Sequence, residues 1–234
     1  VAYGFKAMGE GGFIQIDENY RNYQLVARGS VTPNEKPNAF QASPTINISF
    51  TGRKVPMLAI RARDGVTNVV YSRTSSNINP TFTIWAGGEG VLVDWYLFDL
   101  VEPQDVPGLL GYGMRIRNAA NEIVYEHRYK PQRVTGMVSR AINLVNDPSW
   151  AVAPGRVYAF VTVSLTEEVR SYGVGGTAGV IRYFHAARQV GSTVFLGELP
   201  YNIWTGTNPS SYPFPQFGGH SQPSIWVIVD VTNY

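Results

Sequence analysis

The stretch Val157-Tyr158-Ala159-Phe160-Val161-Thr162-Val163-Ser164-Leu165 decides the fold. Its odd positions are all apolar, and its even positions pass from aromatic to hydroxyl. A period of two belongs to a β-strand, whose successive side chains point to opposite faces. The run therefore reads as a strand buried on one face throughout and on the other for half its length. Val91 to Phe98 and Ile225 to Val231 read the same way, as core strands of a packed sheet.

Working outward, turn signals separate such runs: Gly11-Gly12, Asp64-Gly65, Gly87-Gly88-Glu89-Gly90, Pro154-Gly155 and Gly175-Gly176. The longest stretch free of both Pro and Gly is 17 residues, so any helix is short. Only Ser139 to Asp147 fits a short helix, and a connector fits it equally well. Many short strands with turns between them predict an all-β chain of sandwich type rather than βαβ units.

The chain also repeats itself. Tyr3-Gly4-Phe5-Lys6-Ala7 aligns with Tyr112-Gly113-Met114-Arg115-Ile116, and in the same register Ile14 meets Ile123 and Asp17 meets Glu126. Each copy reads as a hairpin turning near Gly11-Gly12 or Ala120-Asn121. The far ends match as well. Val93-Asp94-Trp95-Tyr96-Leu97-Phe98-Asp99 and Ser224-Ile225-Trp226-Val227-Ile228-Val229-Asp230 both place a Trp in an apolar strand that closes on Asp. Between the halves, Val101 to Gly108 carries two prolines and reads as a short, stiff linker. The expectation is two tandem β-sandwich domains, residues 1–105 and 106–234.

Composition sets the function classes. Charged residues are 15% of 234, against roughly 25% in an ordinary soluble domain, and a surface so sparsely charged suits contact with other protein. The 19 basic residues are scattered among 17 acidic ones, which gives no support to nucleic-acid binding. With no cysteine there is neither a disulfide nor a thiolate metal site. No apolar run is long enough to span a membrane, and the opening residues lack a signal-peptide layout. The expected site of synthesis is the cytoplasm.

Catalytic patterns are missing. His127, His185 and His220 match no metal-ligand spacing. Gly173 to Gly179 resembles a dinucleotide fingerprint, yet Val180 to His185 after it reads as a strand, without the helix N-terminus that a pyrophosphate requires. There is no Gly-x-Ser-x-Gly elbow. The pairs Asp17-Glu18, Asp94 with Asp99, and Glu167-Glu168 read as solvated or salt-bridged groups rather than a glycosidase pair. The expectation is a non-enzyme with no catalytic residue, no metal and no cofactor. The most unusual stretch is 201–223, which mixes Pro and Gly with Trp204, Tyr212, Phe214 and Phe217. Such rings suit a protein interface, a loop packed on its own domain, or stacking on sugar.

Gly108-Leu109-Leu110-Gly111-Tyr112-Gly113-Met114-Arg115-Ile116-Arg117-Asn118-Ala119-Ala120-Asn121-Glu122-Ile123-Val124-Tyr125, with its echo at Tyr3-Gly4-Phe5-Lys6, resembles small tail-tip, tail-fibre and baseplate proteins of long-tailed bacteriophages. The phrase covers under a tenth of the chain. The resemblance implies a virion structural protein of β-sandwich modules, assembled as a homotrimer or ring in the tail and joined to other tail proteins. Distal loops would meet a glycan or protein receptor on the host surface. The chain lacks the long shaft of true fibres, so the resemblance points to a compact tip, collar or baseplate component. A carbohydrate-binding β-sandwich module is the alternative.

Overall fold

The computed structural model describes residues 7–8, 15–16, 22–36, 41–74, 79–101, 113–141, 147–174, 177–206 and 223–234, with the side chains of 7–8, 15–16, 169–174, 177–178 and 204–206 left aside. Among these residues there is no helix. The first half forms β1 (Ala7–Met8), β2 (Gln15–Ile16), β3 (Tyr23–Val31), β4 (Thr45–Ser49), β5 (Met57–Ala62), β6 (Val69–Arg73), β7 (Thr81–Ala86) and β8 (Val93–Leu100). The second forms β9 (Arg115–Arg117), β10 (Ile123–Glu126), β11 (Val134–Arg140), β12 (Ser149–Ala151), β13 (Tyr158–Ser164), β14 (Glu167–Val174), β15 (Thr177–Val190), β16 (Thr193–Gly206) and β17 (Ser224–Asp230). The described chain is all-β, as the period-two runs predict, and its strand pairs are antiparallel. Ser139 and Arg140 extend β11, and residues 142–146 of the segment that also fitted a helix lie outside the described residues.

The large sheets are six-stranded, in the order β11-β17-β13-β5-β8-β3, and seven-stranded, in the order β12-β16-β15-β6-β7-β4 with β14 on β15. Each half supplies three strands to each ordered path, and in the same order. In the first sheet β3-β8-β5 corresponds to β11-β17-β13; in the second β4-β7-β6 corresponds to β12-β16-β15. Strand β14 is the one addition among the described strands.

The correspondence holds to the residue. The opening hairpins pair Ala7 with Ile16 and Ile116 with Tyr125, positions that the Tyr3-to-Tyr112 alignment equates. A β-bulge falls between Leu25 and Ala27, opposite Phe98 and Leu97, and again between Val134 and Gly136, opposite Val229 and Ile228. Gly29 faces Trp95 as Val138 faces Trp226. Both closing aspartates are buried and accept backbone amides: Asp99 from Lys54 and Val55, and Asp230 from Thr232. Those bonds fix the strand ends to the neighbouring turns.

The halves meet through counterparts. Ile60 of β5 lies opposite Phe160 of β13, and Val69 of β6 opposite Ala187 of β15, antiparallel in both cases. A strand paired antiparallel with its own equivalent implies a local twofold axis between the two. The chain segments leading into β3 and β11 obey the same relation. The Gln132 amide donates to the Tyr23 carbonyl, and the Leu25 amide to that of Lys130, each at 2.8 Å.

Both sheets therefore run on from one half into the other, and the halves join edge to edge through both of them. The proline-containing segment expected to link two domains, Val101 to Gly108, lies outside the described residues except for Val101, and so does the boundary near 106.

Three apolar clusters follow. One joins Leu58, Ile60, Tyr71, Phe82, Ile84 and Leu97 between the sheets of the first half. Another joins Phe160, Phe184, Leu196, Leu199, Trp226 and Ile228 between those of the second. A third lies on the opposite face of the six-stranded sheet, where Ala59, Tyr96 and Phe98 meet Ala159, Val161 and Val229 across the join. Burial of this order is the main favourable term in folding.

The glycine of the second Tyr-Gly copy has a steric cause. A Cβ on Gly113 would sit 1.6 Å from His127 Cε1, because the imidazole crosses there to accept the Met114 amide on Nδ1 at 3.1 Å. The hairpin turn places Asn121 at φ 64°, a left-handed conformation that asparagine tolerates. At its end, the buried Glu126 carboxylate accepts from Arg128 Nε at 2.8 Å and from Arg115 Nε at 2.7 Å. The Arg128 bond, aided by Arg115 and opposed by burial, lowers its pKa to about 2.

Candidate functional site

On the outer face of the six-stranded sheet, the first half is charged. Arg28 and Ser30 of β3 stand opposite Tyr96 and Asp94 of β8. Ser30 Oγ donates to Asp94 Oδ1 at 2.7 Å, Arg63 Nη2 does so at 2.5 Å, and Arg61 Nε lies 3.7 Å from Oδ2. Burial opposes ionisation of Asp94, but the bonds from Arg63 and Ser30 outweigh it and hold the carboxyl below its ordinary value. A cavity of about 350 Å³ opens here, lined by Arg28, Gly29, Ser30, Arg63, Asp94, Tyr96 and Tyr234.

In the second half, three of the four equivalent positions are apolar and the fourth keeps its serine. Met137 stands opposite Val227 where Arg28 stands opposite Tyr96, and Ser139 opposite Ile225 where Ser30 stands opposite Asp94. Met137 is 70% exposed, Val163 58% and Val134 43%, while Ile225 and Val227 are half-buried. Exposed apolar side chains scattered singly are unremarkable, but a contiguous group on one face marks a contact surface.

Between the sheets the contrast is reversed, and the second half is the polar one. Val31 and Val93 of the first half correspond to Arg140 and Ser224. Arg140, 1% exposed, donates to Asp147 Oδ1 at 2.9 Å, Glu198 Oε1 at 2.6 Å and the Leu196 carbonyl at 2.5 Å. Arg188 holds the other Asp147 oxygen at 3.0 Å and Asn68 Oδ1 at 2.9 Å, so the network reaches the first half. A Cβ on Gly197 would lie 2.8 Å from Arg188, Asn68 and Asp147, which explains the glycine within β16.

Beside this network, His185 Nδ1 is 3.0 Å from Ser224 Oγ and Nε2 is 3.5 Å from Glu168 Oε2. The trio has the composition of an acyl-transfer site but not its exposure. His185 and Ser224 are fully buried, Ser224 Oγ already accepts the Thr166 amide at 3.0 Å, and none of the cavities described here is lined by the trio. Its geometry ties β14 and β15 of one sheet to β17 of the other.

Comparison with known proteins gave no match. Searches of protein-family models, curated proteins and solved structures each found none.

Burial, followed by the charge of Arg140, lowers the His185 pKa and keeps the ring neutral. A base whose folded pKa lies below its unfolded value favours folding above the unfolded value of about 6.5, and that contribution is lost as pH falls below it toward the folded value. The urea midpoint is therefore expected to drop between about pH 7.5 and about pH 5.5, with a smaller drop in His185→Gln. Parallel profiles for the two proteins would contradict this.

Of the residues singled out from sequence, Trp204 falls within β16, its backbone opposite Val180, while Tyr212, Phe214, Phe217 and His220 lie outside the described residues. Gly173 and Gly179 sit in the paired strands β14 and β15, so the segment after the glycine run is a strand. Glu167 pairs with Arg182 and Asp94 with Arg63, as expected of salt-bridged carboxylates. Two further cavities flank the join between the halves. One, of about 480 Å³, is lined by Tyr23, Met57, Tyr71, Arg73, Val161 and Leu165 among others. The other, of about 210 Å³, is lined by Arg61, Thr67, Arg156, Tyr158 and Gln189 among others. Sequence reasoning missed Met137 and Arg140. The signal was there: a period of two carried on from Val138 puts Arg140 on its inward side and Met137 on the outer.

Proposed function

We propose that the chain is a non-enzymatic structural subunit of a long-tailed bacteriophage tail, in a tip, collar or baseplate position, that assembles with copies of itself and with other tail proteins. The observation that carries this reading is the one-sided change on the outer face, charged around Asp94 and apolar around Met137, Val227 and Ile225. A surface freed of charge in only one of two equivalent units serves contact with protein.

The finer architecture belongs to the same reading. Two tandem sandwich units arose by duplication, joined by the segment near 101–108, and each opens on its Tyr-Gly hairpin. One docks to the tail; the other, with Trp204 and the aromatic residues after it, faces a neighbouring tail protein or the host. The matched hairpin registers and the bulge shared by both halves support duplication.

Electron microscopy of the native particle, with antibody against this chain, tests the reading. Label at the distal end of the tail in a symmetric arrangement is expected. Particles that carry no label, or micromolar binding of the single chain on a glycan array with no assembly, would replace it with the carbohydrate-binding alternative.

A further inference from the structure

The two ends of the six-stranded sheet occupy equivalent places and are built for different surroundings. At one end, β3 carries Arg28 and Ser30, stands beside the Asp94-Arg63 pair, and has its start covered by the segment 130–132. Charge and a covering segment are the usual protections of a sheet edge. At the other end, the backbone of β11 pairs, among the described residues, with β17 alone, and from Val134 to Ser139 it has no charged side chain. Beside that edge stand the exposed Met137 and the half-buried Val227 and Ile225, continuous with the apolar cluster around Val161 and Val229.

We infer that β11 and the apolar face beside it are where a second copy of this chain docks, β11 lying antiparallel to its own equivalent across a twofold axis. Two features select a second copy over a different partner. The chain already joins equivalent strands antiparallel in this way, at Ile60 with Phe160 and at Val69 with Ala187, so these units have edges that accept their own kind. The face also carries no charge that a partner of opposite sign would recognise, and an edge that meets itself about a dyad needs none. Extending the sheet satisfies the outward backbone groups of β11 and brings the Met137 and Val227 rows of the two copies together. The inference rests on the assembling-subunit reading and names the surface that reading needs.

The test introduces the first half's own residues. In the full chain, Met137→Arg restores the counterpart of Arg28, and Met137→Arg with Ile225→Asp restores that of Asp94 as well. The unaltered protein is expected to scatter light as two or more copies of 25.8 kDa. Met137→Arg is expected to raise the dissociation constant on the order of tenfold or more without changing the circular dichroism. Val190→Arg, an exposed apolar position on a different sheet, is the control and is expected to leave the mass alone. Because the chain has no cysteine, single-cysteine variants at Thr135, Met137 and Ser139 give a second readout. At least one is expected to form a disulfide-linked pair on oxidation. A single-copy unaltered protein, or a mass and a failure to cross-link that ignore all these changes, would overturn the inference. An assembly that survives Met137→Arg uncross-linked refutes this surface and leaves the subunit reading standing. Particles without the chain refute the reading itself.

Discussion

Replacing Arg140 with methionine is expected to lower the stability of the chain by about 3–5 kcal/mol. The guanidinium is nearly inaccessible and bridges Asp147, Glu198 and the Leu196 carbonyl. Without it, Asp147 keeps only its bond from Arg188, the part-buried Glu198 carboxylate loses this ion pair and the Leu196 carbonyl loses a donor, whereas methionine fills much of the volume. The loss thus reports on charge rather than on a void. Arg63→Met is the comparison: that side chain is 54% exposed, so its ion pair with Asp94 is screened by water and its loss is expected to shift the urea midpoint far less than the loss of Arg140. Urea denaturation of both variants measures the difference. Equal, small shifts would mean that Arg140 reaches water.

The second large effect is at Trp226. Its indole is fully buried among Val138, Phe160 and Ile228, so truncation to alanine is expected to cost about 3–5 kcal/mol in lost transfer energy and residual cavity. Trp226 Nε1 has no hydrogen-bond partner among the described residues. Phenylalanine removes that orphan donor and keeps most of the apolar volume, and is expected to cost under about 1.5 kcal/mol. Trp95, the counterpart in the first half, is half-buried over Gly29 and against Phe50, and its truncation is expected to cost less than that of Trp226. Because both sheets cross from one half to the other, fluorescence and circular dichroism should give one coincident transition for the unaltered chain. Two separated transitions would mean that the halves fold independently.

The sequence made the strands legible wherever apolar residues recur at every second position, as at Val157 to Leu165, and it made the repeat legible where both copies kept the same residues, as in the Tyr-Gly hairpins and the Trp strands. It could not show which edges meet. Ala59 and Val161, beside the join, look like any apolar strand residues, and pairing between strands a hundred residues apart leaves no local mark. The inner polar network was hidden for a related reason. Arg140, Asp147, Glu168, His185, Glu198 and Ser224 come from separate segments, and each alone resembles a solvated group. Ser139 to Asp147 also satisfies a weak helical pattern, which masked the pairing of Arg140 with Asp147. The aromatic positions Tyr212, Phe214 and Phe217 lie beyond the described residues, so the candidate surface now rests on Met137, Val227 and Ile225.

These contrasts share one logic. Two units with the same strand order differ on opposite faces of the same sheet: the second is polar between the sheets, where Arg140 and Ser224 stand in place of Val31 and Val93, and apolar outside, where Met137 and Ile225 stand in place of Arg28 and Asp94. The first change ties the two sheets of that half together, and the second makes the surface proposed above for contact with a second copy. Light scattering from the full chain over a wide concentration range tests this most directly. The account predicts a mass of two or more times 25.8 kDa that falls toward one copy on dilution; a mass of one copy at every concentration would contradict it.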